Sequence, residues 1–278
     1  MRWELIGSIG NAELQRRHEQ RDKVHNQTLL VRTTMTESKS RRLVGFRVAS
    51  ERRFFSWMAV SIVILVFGGF SRTYYLHSLF RTPALSLFLH VHGAVMTGWI
   101  ALFAVQTFLL ASNHAHIHRV LGAFGAAYAA LVVVMGCTAT LLAARREVLA
   151  HSEFVSSFLT VLALELTQML LFASLVASGV WLRNRTGYHK RLMLLATFCI
   201  LPNPIVRLFI CAGLGSNILI LGFWASLVAA VVLLDSWRNR RLHRAFGFGA
   251  TIIVVFLYLV YFGSRTLLWQ HFAANMVG

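Results

Sequence analysis

Seven apolar stretches, at about 54–71, 84–111, 120–144, 156–182, 192–211, 217–236 and 249–268, constrain this chain more than any other feature. A helix needs roughly 20 mostly apolar residues to cross the ~30 Å hydrocarbon layer of a bilayer, where every backbone polar group must be bonded within the protein. Helices meet both demands, and three prolines in 278 residues leave most of the stretches unbroken. With 57% of its residues hydrophobic and 13% charged, the chain has membrane rather than soluble-core composition. The predicted fold is therefore all-α, a polytopic membrane bundle of about seven transmembrane helices occupying residues 51–278.

Residues 1–50 precede the first stretch and mix both signs of charge with Gln, Asn and Thr. They read as a basic leader, partly disordered or amphipathic, too polar and too long to be a cleaved secretory signal. Met35 opens a segment, MTESKSRRLVGFRV, that looks like a natural start before a first span, and the expectation is that the 34 residues upstream are absent from the mature protein.

A net charge of +17 could suggest nucleic acid, but basic residues also mark the cytoplasmic side of membrane proteins. With the N-terminus inside, fourteen basic residues fall in inner segments (41–53, 119, 183–191 and 238–244). Five, Arg72, Arg81, Arg145, Arg146 and Arg265, fall in outer ones. The bias accounts for the charge without nucleic acid, places the N-terminus inside, and makes anionic lipids at the cytoplasmic face natural partners, at about 1 kcal/mol for each basic residue near the surface.

Chemistry-bearing residues inside the spans are few. His90 and His92 lie in the outer part of the second span and Gln106 near its inner end; at about 100° per residue His92 and Gln106 share one helix face, about 40° apart, while His90 points elsewhere. Glu165, with Gln168 three residues on, is an acid deep in the fourth span, where it must be neutral or paired. The run Leu201-Pro202-Asn203-Pro204 must bend the fifth span, since each proline removes a donor and crowds the preceding turn. Arg207 follows that break, able either to pair with Glu165 or a ligand anion or to reach the headgroups.

Three inner hairpins enter their second helix through similar phrases, Ile117-His118-Arg119, Tyr188-His189-Lys190 and Leu242-His243-Arg244, which look like a worn repeat. Histidine beside a basic residue at an inner interface obeys the positive-inside rule, yet imidazoles at one depth on neighbouring helices can also ligate a metal or haem iron. His114, His116 and His118 alternate in a loop that reads as a polar turn. The cysteines, Cys137, Cys199 and Cys211, have no metal or disulfide spacing, and no G-x-S-x-G, H-E-x-x-H, Walker or C-x-x-C motif is present, which leaves no catalytic residue to name.

The order His90-x-His92-Gly93, Gln106, His118-Arg119-x-Leu121-Gly122, His189-Lys190-Arg191-x-Met193, Arg207 resembles that of a family of uncharacterised bacterial multi-pass membrane proteins, over about Arg52 to Arg244. The resemblance implies six to eight spans in a bacterial cytoplasmic membrane and a link with haem-copper oxidase maturation in some similar small families. It implies no established reaction, and His243 is less typical of it. Two functional readings stay open. One is a haem b or other histidine-ligated cofactor in a respiratory or redox-assembly context, with His118 and His189 as ligands and His90 or His92 beside a further site. The other is a transporter or receptor-like bundle whose pocket for a small anion or proton is lined by Gln106, Glu165 and Arg207. A structural partner of a respiratory complex would use the same surfaces without a cofactor.

Overall fold

The computed structural model describes residues 48–80 and 84–278, with Arg21, Arg32, Met35 and Lys39. The rest of the leader, whose disordered or amphipathic character is expected from sequence, and Arg81 lie outside the described residues. Residues 1–54 and 55–278 form two compact units. The described residues hold helices and no strand: α1 Val48–Tyr75, α2 Leu87–Ala111, α3 Ala115–Leu149, α4 Val155–Trp181, α5 Thr186–Cys199, α6 Pro202–Cys211, α7 Asn217–Asn239, α8 Arg244–Gly263 and α9 Leu267–Val277.

Six of these, α1 to α4, α7 and α8, are long and apolar enough to cross a membrane, and α5 with α6 makes a seventh if the pair, bent by 41°, is one span. The chain is thus an all-α multi-pass membrane bundle. Helix limits depart from the apolar stretches in a consistent way. α3 begins at Ala115 and α8 at Arg244, before their apolar runs, because a hydropathy boundary marks where hydrocarbon starts, whereas the helix begins in the polar layer beyond it, where His and Arg reach water. The last stretch ends early, at Gly263, and a separate short helix, α9, follows.

α4 is the central helix: 61% of its apolar window is buried inside the protein, against 22–39% for the other spans. It packs against α3, α5 and α8. Phe172, Leu162, Leu194, Leu195, Trp224, Phe246 and Ile253 fill the interior, and Val134, Leu170, Leu233, Phe248 and Leu259 face outward. Lipid tails are as apolar as leucine, so shape-matched contact rather than release of water holds such helices together.

The bend has an identifiable cause. Pro202 stands at the first turn of α6, where a missing N–H costs nothing, but the Phe198 carbonyl loses the donor that a regular helix would offer from position 202. That carbonyl accepts instead from the Leu201 N–H at 3.2 Å and from the Trp224 indole of α7 at 2.8 Å. On the other side, Gly69 of α1 lies so close to Pro204 that a Cβ there would collide with its backbone. The broken span is therefore clasped from both flanks. α9 folds back on the far ends of α3 and α4: Ala273 and Val277 join Ala144, Leu159 and Leu162 in one cluster, and the Trp269 indole donates to the Leu159 carbonyl at 2.9 Å.

Candidate functional site

The histidine phrases come together at the end of the bundle where the hairpin turns 112–114, 182–185 and 240–243 lie. His118 is the fourth residue of α3 and His189 the fourth of α5, so both project from the first turn of a helix toward the C-terminal part of the helix before it. His189 Nδ1 lies 2.8 Å from the Gly179 carbonyl of α4, and His118 Nδ1 lies 3.3 Å from the Gln106 carbonyl of α2. This shared geometry is the structural content of the worn repeat for its first two copies. The rings stand 6.1 Å apart, centre to centre, at 86°. α3 and α5 each pack on α4, so the two imidazoles are carried by helices that a third helix holds on either side of it.

A carbonyl oxygen only accepts, so His189 Nδ1 is the donor in this contact, which leaves Nε2 as the nitrogen that faces away from the backbone. His118 is governed by Gln106 as well. The carboxamide orientation that satisfies every neighbour turns its oxygen to the Gly122 N–H (2.9 Å) and its nitrogen to the His118 carbonyl (3.2 Å) and to His118 Nδ1 (2.5 Å). In that state the His118 proton sits on Nε2. The Gln106 backbone carbonyl, 3.3 Å from the same Nδ1, calls instead for the proton on Nδ1, so the orientation of the Gln106 amide selects between two tautomers of His118.

The third phrase is different. His243 is the N-cap of α8: its Nδ1 accepts from the Ala245 N–H at 3.2 Å, and its ring meets Tyr188, 4.7 Å away. Burial, with the Arg191 charge nearby, holds His243 below the ordinary imidazole range. Beneath it, Arg191 and Asp235 make a buried bidentate pair, Nε to Oδ2 at 2.8 Å and Nη2 to Oδ1 at 2.9 Å. Asn239 donates to Oδ1 at 3.0 Å, and Arg191 also donates to the Gly187 carbonyl at 3.0 Å. Sequence reasoning placed Arg191 among the inner surface charges and passed over Asp235; an acid closing the run Val231-Val232-Leu233-Leu234 was the available signal.

In the other half of the bundle, His92 Nδ1 lies 3.3 Å from the Met135 carbonyl of α3, which again fixes the proton on Nδ1. Glu165 is largely buried beside the Thr140 hydroxyl, and the charge of Arg207 acts on both Glu165 and His92 without a direct ion pair. The Arg207 guanidinium lies over the Phe70 ring, 4.8 Å from its centre. His92, Glu165 and Arg207 therefore share one locality at the bent span, and Gln106 belongs to the histidine pair instead. His90 joins neither: it is exposed, with Tyr74 and His77 rings about it and its carbonyl accepting from the Tyr74 hydroxyl at 3.0 Å. Gly93 is where the Tyr74 ring crosses α2, leaving no room for a Cβ, and the helix stays regular there.

Among the described residues no group of three or more His, Cys, Asp or Glu is placed to hold a metal; His114 bonds Ser112 (3.0 Å) at the turn. Any metal at the pair would take two protein nitrogens and find its remaining ligands elsewhere, which suits an iron already held by a porphyrin. Comparison with known proteins finds no matching family model, curated sequence or solved structure.

Proposed function

We propose that this is a membrane redox protein that binds one b-type haem between His118 and His189. One observation supports the reading above the rest: two imidazoles on different helices stand 6.1 Å apart, each with Nδ1 turned to a backbone carbonyl. Metal–nitrogen bonds are about 2 Å long, so that separation has room for one ion between the rings. A second-shell carbonyl on Nδ1 is the usual support of a ligating histidine, since it orients the ring and raises the basicity of Nε2. Ligation by His118 requires its proton to move from Nε2 to Nδ1, and the Gln106 amide to turn its oxygen inward. Haem held there supplies reversible one-electron transfer. The setting is the cytoplasmic membrane of a bacterium, with the N-terminus and the histidine pair on the inner side among anionic lipids, and a respiratory complex as electron partner.

An absorption spectrum of protein purified in detergent from a haem-replete host is the test. A Soret band is expected in the wild type and absent from His118→Ala and His189→Ala. Gln106→Leu is expected to weaken haem retention about 10- to 100-fold, the usual consequence of losing a second-shell partner. A wild-type spectrum without a Soret band sinks the proposal.

A second reading rests on the locality of His92, Glu165 and Arg207 at the bent span. Broken helices beside polar groups recur where transporters hold small ions, and a guanidinium next to a neutral carboxyl would take a small anion. Binding lost in Arg207→Ala, with no haem involved, would favour it.

A further inference from the structure

α3 runs from one charged rim of the bundle to the other. Between Arg119 and Arg145 it carries no charged residue, and that step of 26 residues rises roughly 39 Å, close to the ~40–45 Å of a bilayer with its headgroup layers. With Arg119 among the headgroups at the histidine end, Arg145 reaches those of the opposite leaflet.

A recess of about 350 Å³ opens there between the ends of α3 and α9, lined by Leu141, Leu142, Arg145, Met276, Val277 and Gly278. Leu141 and Leu142 precede Arg145 by about one turn and so lie deeper in the leaflet, with the cation at the rim. The neighbouring charge is already met, since Arg146 donates to Glu147 at 2.7 Å. Among the described residues no hydrogen bond or ion pair joins Arg145 to any neighbour, the adjoining Gly278 included.

α9 supplies the other wall. Ala273 and Val277 bury one of its faces against α3 and α4, while Leu268, Phe272 and Met276, at four-residue spacing on another, are 84%, 58% and 47% exposed. Eleven residues make a helix roughly 16 Å long, too short to cross the hydrocarbon; with an apolar stripe of this kind it lies at the headgroup boundary and turns the stripe to the acyl chains. Met276 belongs both to the stripe and to the recess, so the recess opens to acyl chains as well as to headgroups. A small soluble anion would have no use for that apolar wall.

We propose that the recess between α3 and α9 binds a glycerophospholipid of the leaflet opposite the histidine phrases, its phosphodiester on Arg145 and an acyl chain along Leu141, Leu142 and Met276. A guanidinium meets phosphate oxygens through two parallel N–H donors, which fixes the headgroup in position as well as attracting it. The site stands apart from the haem reading and needs no cofactor.

Native mass spectrometry of the full chain, titrated in detergent with phosphatidylglycerol, tests the site; this lipid offers the phosphodiester without a competing ammonium. The wild type is expected to retain one tightly held lipid. Arg145→Gln is expected to weaken its retention about tenfold, the scale of a lost charge-assisted contact, and Leu142→Gln to weaken it as well by making the wall polar. Arg146→Gln removes an equal charge that Glu147 already meets and is expected to change little. Inorganic phosphate in millimolar excess is expected to leave the lipid in place. All three substituted side chains are exposed, and circular dichroism melting checks that each variant keeps its fold. Retention in Arg145→Gln or Leu142→Gln equal to that of the wild type overturns the proposal. So does an equal loss in Arg145→Gln and Arg146→Gln, which would mean diffuse charge attraction, or displacement of the lipid by inorganic phosphate, which would make the recess a site for free anions.

Discussion

Arg191 and Asp235 show how much one side chain can weigh in this bundle. Each is at most 3% exposed, and each satisfies the other with two parallel bonds, so neither charge stands alone. Removing one partner from a buried pair leaves an uncompensated charge and costs about 3–5 kcal/mol, whereas replacing both by apolar groups is often neutral. Asp235→Ala is expected to lower thermal stability sharply, and Arg191→Met with Asp235→Leu to recover most of it, as followed by circular dichroism in detergent. His243 offers a pH test. Only the neutral ring accepts from the Ala245 N–H, and its folded pKa lies below the unfolded value; the unfolded chain thus binds more protons, and stability falls as pH drops below about 6.5. His243→Asn, a cap that does not titrate, should flatten that slope; an unchanged slope would remove His243 from the account.

At the scale of elements, the bend between α5 and α6 was legible because proline acts locally: Pro202 and Pro204 lose donors whatever surrounds them. The group that compensates was not legible, since Trp224 lies 26 residues from Phe198 and only the packing of α7 brings them together. Trp224→Phe drops the indole donor while the Leu201 N–H still reaches the carbonyl; a loss of about 0.5–1.5 kcal/mol for the bond, beyond the cost of the smaller ring, is expected in unfolding experiments. The histidine phrases divide along the same line. Their shared depth could be read from positive-inside charge and spacing, but whether two rings face each other depends on how helices rotate about their axes. His118 and His189 do meet, and His243, with the same phrase, caps a helix instead. Likewise His92 and Gln106 share a face as the 3.6-residue period requires, yet they serve different localities because 14 residues of helix separate them.

At the scale of the whole molecule, hydropathy alone identifies an all-α membrane bundle, because the bilayer forbids other solutions for stretches of this length. The sidedness proposed above rests on the basic bias. A single cysteine introduced at Arg240 is expected to react with an impermeant maleimide only after the inner face is opened, and labelling in intact cells would reverse the assignment. The basic end and the histidine pair coincide, so under the proposed haem reading electrons would enter from that face. α3 carries a further implication through its size. Its 35 residues extend roughly 52 Å, and a tilt of roughly 55° would be needed to hide that length in 30 Å of hydrocarbon, beyond the usual 0–40°. At least one tip must therefore rise into water, and α9, packed against the C-terminal part of α3 and the first turns of α4, braces the bundle at the end opposite the histidine phrases.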